Sequence, residues 1–297
     1  MFDLDDHVHT HDEPLLLEDR HAHESEIYDA MAQTMLAEMS DEEFMVRADR
    51  IPFHNREQIE CVSFAIEQLG PLSGRRVLEV GAGGGMLAVW MALQGAEVTG
   101  IDVSAGILEV AERRSVASGV AGSTRYIHSP VEELELPDSH FDLIFGNNVV
   151  HHFERDIAMS NLARMLKPEG RAVFCEPVLF LPEACRRLRY SSVVTRRFPP
   201  HTHTPDERSL NAGDLRIAES HFRSVEWKPF QLLCRLQNFV ELSDATWNRL
   251  ESIDKAILRR AQAARWLARL IVLTLDDPKR NARDGQTSRV FKEDLGR

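Results

Sequence analysis

One stretch of the chain, residues 76–102, constrains the fold more than any other. It reads RVLEVGAGGGMLAVWMALQGAEVTGID. An apolar run ending at Val80 is typical of a buried parallel strand, and after a glycine-rich turn the apolar residues recur with helical spacing over 86–94. Gly95 is placed to end that helix, and a second strand ends at Asp102. Glycines let backbone N–H groups approach a ligand, and an acid at the end of the second strand can accept hydrogen bonds from a ribose diol. The stretch therefore predicts a nucleoside-binding turn.

Two glycine fingerprints compete for this turn. The G-x-G-x-x-G pattern of dinucleotide-binding proteins needs its third glycine where the chain has Met86. The pattern that fits throughout is acid-x-Gly-x-Gly-x-Gly, formed by Glu79, Gly81, Gly83 and Gly85. In this motif the chain resembles the class I S-adenosylmethionine (SAM)-dependent methyltransferases. The resemblance implies SAM as the cofactor and disfavours a nicotinamide cofactor.

Later segments extend the resemblance over residues 76–178. LARMLKPEGRAVFCEP resembles the family's Leu-Lys-Pro-Gly-Gly segment, and SPVEELELPDSHFDLIF resembles its Gly-Asp-Ala-Glu-x-Leu-Pro segment followed by Phe-Asp-Leu. Pro130 replaces the aspartate usual there, so we expect Glu132 to hold the adenine amino group. The SAM-binding residues implied by the resemblance are Tyr28 (on a lid), Glu79, Gly81, Ala82, Gly83, Gly85, Asp102, Val103, Pro130, Val131, Glu132 and Asn147.

Alternating strands and helices predict an α/β fold with a doubly wound, parallel sheet. The resemblance to class I methyltransferases implies seven strands, mostly parallel, with the last two adding an antiparallel hairpin. We expect a disordered acidic, His-rich arm over residues 1–23 (a metal-binding tail is the alternative), a helical lid over 24–70 and a SAM-binding core over 71–178. A substrate-side insertion follows over 179–208. The remainder of the core, 209–297, includes a helical insertion at 238–268. A turn at 167–170 should precede the fifth strand.

The charge distribution bears on the partners. The net charge is −12, and residues 1–60 carry 17 acids against 4 bases, so the acidity belongs to the N-terminal part and the rest is near neutral. No broad basic face is evident for a nucleic-acid backbone. The segment Asn147-Asn148-Val149-Val150 also lacks the Pro-Pro-aromatic sequence of amino-N-methyltransferases. We therefore expect no nucleic-acid partner.

Two features bear on the compartment. No apolar run is long enough to span a bilayer, and the acidic N-terminus does not read as a secretory signal. The four cysteines contain no C-x-x-C pair and are expected to be reduced thiols. Together these features predict a cytoplasmic protein.

Candidate catalytic residues follow the fourth and fifth strands. Methyl transfer from a sulfonium needs mainly proximity and alignment, and a base only where the acceptor must lose a proton. His151 and His152 come just after the fourth strand and are the first candidates for that base. Glu176, at the end of the fifth strand, is the next. A purely structural role for each is the alternative.

The acceptor is expected to be a small molecule or lipid-like metabolite with a hydrophobic part, methylated on oxygen or carbon. Candidate substrate-binding residues are His54, Arg196, His201 and His203. The arginines of the insertion either clamp an anionic group or form a solvated helix face. Two histidines and a carboxylate could also form a facial iron site, a less favoured alternative; the candidates are His151, His152, His201, His203, Glu176 and Asp206. A SAM-binding regulator or a SAM-assisted cyclase is the competing function, and the oligomeric state is left open.

Overall fold

The computed structural model describes residues 17–52, 56–180, 209–238 and 240–280. Its strands are β1 (Arg76–Val80), β2 (Glu97–Asp102), β3 (Thr124–His128), β4 (Phe141–Asn147), β5 (Leu166–Pro177), β6 (Phe222–Phe230) and β7 (Leu270–Pro278). They form one sheet in the order β3-β2-β1-β4-β5-β7-β6. The first five strands pair in parallel, and β7 is antiparallel to both β5 and β6. The predicted seven-stranded, mostly parallel sheet is confirmed.

Helices cover both faces of this sheet. They are α1 (Leu17–Glu38), α2 (Asp41–Phe44), α3 (Ile59–Leu69), α4 (Met86–Leu93), α5 (Ala105–Ala117), α6 (Arg155–Met165), α7 (Ala212–His221) and α8 (Asp244–Arg260). Buried side chains of α3 and α4 pack against one face, and those of α6 and α7 pack against the other. The fold is therefore doubly wound, with α8 inserted between β6 and β7.

The predicted strand–turn–helix unit forms for local reasons. Val77, Leu78 and Val80 are buried on β1, and α4 begins after Gly85, whose φ of 74° is left-handed. The next helix, α5, begins where the Ser104 side chain accepts a hydrogen bond from the Ile107 N–H at 3.1 Å. Parallel strands place their carboxyl ends at one edge, so the loops after β1, β2 and β4 meet there.

Several predicted bounds differ from the structure. The second predicted helix begins at Ile59, after a turn at residues 56–58, and residues 53–55 lie outside the described part. The fifth strand begins at Leu166, before the predicted turn at 167–170. Phe141 pairs with Leu166 and Leu143 with Arg171, so the residues between bulge out of the ladder and leave the strand continuous.

The N-terminal helix extends beyond its prediction. Helix α1 begins at Leu17, so residues 17–23 are helical, and the boundary expected between residues 23 and 24 is wrong. Residues 1–16 lie outside the described part. The apolar side of α1 includes Ala32 and packs with Phe44, Ile107 and Val110. This tertiary packing on α2 and α5 stabilises a helix whose sequence alone is weakly amphipathic.

The expectation of four reduced cysteines is wrong. Cys61 on α3 and Cys175 on β5 form a disulfide with their Cα atoms 6.3 Å apart, while Cys234 is a buried free thiol. The two positions are 114 residues apart, and only the packing of α3 on β5 brings them together. The cysteines therefore give no support to the prediction that the protein resides in a reducing compartment. Within the described ranges no helix is long and apolar enough to cross a bilayer.

Candidate functional site

The glycine turn after β1 forms one wall of a cleft at the carboxyl edge. Gly83 has a φ of +49° and no atom within 4 Å of an added Cβ, so its backbone lies open. Gly81 has a φ of +68°, and a Cβ there would lie 2.7 Å from Val149 Cγ2. A side chain at Gly81 would therefore both strain the turn and displace the loop after β4.

Asp102 ends β2 beside this turn. Its Oδ2 accepts a hydrogen bond from the Gly83 N–H at 2.9 Å, and its Oδ1 accepts one from the Ser104 N–H at 3.0 Å. Burial raises the pKa of Asp102. The Val103 N–H faces this carboxylate as well. A carboxylate has about four acceptor positions, so this one can still accept a hydrogen bond from a ligand hydroxyl.

Glu79 lies beneath the turn and outside the cleft lining. It is only 4% exposed, burial raises the pKa of its carboxyl well above the ordinary value, and its Oε2 has no hydrogen-bond partner among the described residues. The Ala88 N–H of α4 faces it. The Glu79 carboxyl therefore contacts the start of α4, on the buried side of the glycine turn.

The cleft is narrow because α1 covers it. Its volume is about 40 Å³, whereas ligand sites commonly measure about 300–1,000 Å³. The predicted residues Gly81, Asp102 and Val103 line it beside Ser129, Val149, His152 and the α1 residues His21 and Glu24. Sequence reasoning missed the two α1 residues because it placed His21 in a disordered arm.

The opposite wall is the turn after β3. Pro130, Val131 and Glu132, which the resemblance assigns to SAM binding, line the cleft there. Burial raises the pKa of Glu132, and its Oε1 accepts a hydrogen bond from the Glu154 N–H at 2.7 Å. One carboxylate oxygen therefore anchors the start of α6.

An acid that the sequence analysis did not single out anchors α1 at this edge. Asp29 Oδ1 accepts hydrogen bonds from Ser104 Oγ at 2.5 Å and from the Gly106 N–H at 2.9 Å. These bonds lower the pKa of Asp29. The neighbouring Tyr28 packs with Phe44 and Ile107 and does not line the cleft. The Asp29 bonds tie α1 to the loop that follows Asp102.

Glu176 organises the segment after β4. This carboxylate is fully buried, and its Oε1 accepts hydrogen bonds from the Val149 and Val150 N–H groups, both at 2.8 Å. Its Oε2 lies 2.9 Å from His151 Nδ1. One side chain thus fixes both the turn and the imidazole of His151.

The two histidines after β4 differ in environment. His151 is 7% exposed, and its ring centroid lies 4.1 Å from that of His152. His152 lines the cleft, with its Nδ1 3.4 Å from Glu24 Oε2 on α1. Burial and the nearby His151, Arg20, His21 and Arg155 lower the pKa of His152 to about 3. His152 is therefore neutral at pH 7.

Asn147 ends β4 between these groups. Its Oδ1 is buried and accepts no hydrogen bond from the described residues. A buried acceptor without a partner is costly, and it marks a place where a ligand donor would be favourable. The candidate residues His54, Arg196, His201 and His203, together with Asp206, lie outside the described residues. Among the residues that are described, no group of three His, Cys, Asp or Glu could hold a metal ion.

Comparisons with known proteins agree with this architecture. Residues 78–174 match a family model described as a methyltransferase domain. The chain is 32% identical over 172 residues to a ubiquinone biosynthesis O-methyltransferase of Bordetella parapertussis, an alignment that covers 55% of this chain and 70% of that one. It is also 32% identical over 164 residues to the mitochondrial enzyme of that name from Schizosaccharomyces pombe, covering 54% of this chain and 59% of that one.

A solved structure shows the same fold. The geranyl diphosphate C-methyltransferase of Streptomyces coelicolor superposes over 87% of this chain and 98% of that one, with a TM-score of 0.55 and 13% identity. The fold is therefore that of an α/β methyltransferase. The Bordetella relative then shows the family: the chain belongs to the class I SAM-dependent methyltransferases. SAM as the cofactor is thereby confirmed, while the residues that bind it remain predictions.

Proposed function

We propose that this protein transfers the methyl group of SAM to an oxygen or carbon atom of a small molecule that has a hydrophobic part. The observation that carries the proposal is the Asp102 carboxylate, half-buried at the end of β2 and 2.9 Å from the N–H of the open Gly83 turn. It supports a ribose contact beside a turn that can take a close ligand. The O-methyltransferase relatives favour oxygen as the methylated atom.

The described residues fit SAM in chemistry. We assign the ribose diol to Asp102, the adenine to the wall of Pro130, Val131 and Glu132, and the amino acid end of SAM to Asn147. The orphaned Asn147 Oδ1 supports the last assignment because an ammonium group would give it a donor. SAM supplies an activated methyl group, so the residues need chiefly to orient the acceptor and exclude water.

Helix α1 is the proposed lid of this site. A cleft of about 40 Å³ is too small for a nucleoside, so the part of α1 that carries His21 and Glu24 must move when SAM enters. Closure by the same helix would then exclude water from the methyl group. The hydrogen bonds that Asp29 accepts from Ser104 and Gly106 would be the pivot of this movement of α1.

His151 is the proposed general base. Its hydrogen bond to the buried Glu176 orients the ring and stabilises the imidazolium that forms when the base takes up a proton. His152 lines the cleft, and its low pKa makes it a poor proton acceptor, so we assign it to positioning the acceptor. General base catalysis contributes roughly 10²–10⁴-fold to the rate.

The test is methyl transfer itself. Purified protein is incubated with methyl-labelled SAM and a panel of hydroxylated aromatic and prenylated acceptors, and S-adenosylhomocysteine release is measured. We expect release with at least one acceptor, and a loss of roughly 100-fold or more in kcat for His151→Gln with little change in KM for SAM. His140→Gln, at the amino edge of the sheet, is the matched control.

The competing function is SAM binding without methyl transfer, as a regulator or a cyclase. It predicts SAM binding with no release of S-adenosylhomocysteine for any acceptor. That result, or equal kcat values for His151→Gln and the wild type, would contradict the proposed mechanism.

A further inference from the structure

A second cavity lies between β6 and α8, on the face of the sheet that α3 covers. Its volume is about 530 Å³, within the range of small-molecule sites. Pro229 and Phe230 are buried on its strand side, and Leu258 faces it from the helix. These apolar side chains form a surface suited to a hydrocarbon chain or ring.

The cavity is separate from the SAM cleft. In the sheet order, β6 is three strands from β4 and four from β1, which corresponds to roughly 14 and 19 Å at the usual strand spacing. No residue lines both spaces. A ligand held here would therefore not be the group that receives the methyl.

The carboxylates that line this cavity already have ion-pair or hydrogen-bond partners. Glu60 on α3 and Glu251 on α8 both pair with Lys255, at 3.1 and 3.2 Å. Asp254 is 2% exposed and accepts hydrogen bonds from the N–H groups of Leu232, Leu233 and Cys234 at 2.8–3.1 Å. In the described part of the chain, none of these carboxylates forms an ion pair with Lys228, Arg259 or Arg265.

Two of those cations have no carboxylate partner among the described residues. Lys228 Nζ lies 3.5 Å from the ring centroid of Phe64 and 5.3 Å from that of Phe230. Within the described ranges, Arg259 donates from Nε to the Lys255 carbonyl, at 3.2 Å. A third cation, Arg265, stacks 4.6 Å from the ring of Trp227 and donates to the Trp227 carbonyl. The cavity thus combines an apolar surface with cations on both walls.

We propose that this cavity is a second binding site, for a small amphiphilic anion. The apolar body would pack on Pro229, Phe230 and Leu258, and a carboxylate or phosphate head would bind Lys228 and Arg259. A cationic amphiphile is disfavoured because the acids are paired, and a neutral one would leave both cations without a counter-charge.

The test uses decanoate below its micellar concentration, with decanol and decyltrimethylammonium as isosteric probes of charge. Isothermal titration of the full chain measures each ligand, and the same samples are titrated with SAM. The variants are Lys228→Gln and Arg259→Gln. The matched control is Arg249→Gln, on the other side of α8 beside Ile253 and Arg260.

We expect decanoate to bind at least ten-fold more tightly than the other two probes. Each variant should weaken decanoate roughly ten-fold, the value of one charge-assisted hydrogen bond. The control and the affinity for SAM should not change. The proposal is overturned if decanoate does not bind, if decanol binds equally well, if the variants match the wild type, or if SAM displaces decanoate. Binding only to phosphatidylglycerol vesicles would also overturn it.

Discussion

Replacing Glu176 tests how the segment after β4 is fixed in place. In Glu176→Ala, the buried Val150 N–H and the part-buried Val149 N–H lose acceptors at 2.8 Å, and the buried His151 Nδ1 loses its partner at 2.9 Å. Each unsatisfied buried group costs about 1–3 kcal/mol, so the two buried ones should lower the free energy of unfolding by about 2–6 kcal/mol. In Glu176→Gln the amide oxygen can still accept both bonds, and the expected fall is about 2 kcal/mol because neutral bonds are weaker than charged ones by ~1 kcal/mol each.

The assay is urea unfolding followed by circular dichroism, with Glu226→Ala, an exposed acid of β6, as the control. We expect the free energy of unfolding to be lowest for Glu176→Ala, intermediate for Glu176→Gln and highest for the wild type. The control should match the wild type. A loss under about 0.5 kcal/mol for Glu176→Ala, within the range of ordinary surface substitutions, would refute the reasoning that this carboxylate supports the turn.

Three further predictions concern pH, the disulfide and the lid. His152 is neutral in the fold because its pKa is about 3. The unfolded chain takes up a proton at this position that the folded chain does not, so stability should fall by about 1.6 kcal/mol from pH 6.5 to 5. An equally steep fall in His152→Gln would exclude this source. Reducing the Cys61–Cys175 disulfide, which closes a long loop, should lower the unfolding free energy by roughly 2–5 kcal/mol. Alkylation of Cys61 and Cys175 in unreduced, denatured protein would contradict the pairing. Asp29→Ala should release α1 from Ser104 and speed hydrogen exchange in α1 while that in α6 stays constant; unchanged exchange in α1 would disprove the anchor.

The core of the fold could be predicted because its signals are local. Val77 to Val80, the glycines and Asp102 each follow from spacing within 27 consecutive residues. The continuous β5 could not be predicted, because Pro168 and Gly170 read as a turn and only the pairing of Leu166 with Phe141 extends the strand.

The sequence could predict those residues of the candidate site that lie at or directly after the end of a strand. Asp102 and Glu132 lie in or beside the cleft because parallel strands bring their carboxyl ends together. The resemblance predicted a helical lid over 24–70 but not which of its residues meet the cleft, since His21 and Asp29 reach its edge only through packing of α1 on α5. Long-range partners such as Cys61 and Cys175 leave no local pattern in the sequence.

The central claim is that Asp102 and the glycine turn bind SAM, and calorimetric titration tests it most directly. SAM, S-adenosylhomocysteine and NAD are titrated into the wild type, Asp102→Asn and Glu97→Gln; the last changes an exposed acid at the other end of β2. We predict micromolar binding of SAM and S-adenosylhomocysteine, weakened roughly 10–100-fold by Asp102→Asn and unchanged by Glu97→Gln. Binding of NAD alone, or equal SAM affinities in all three proteins, would contradict the account.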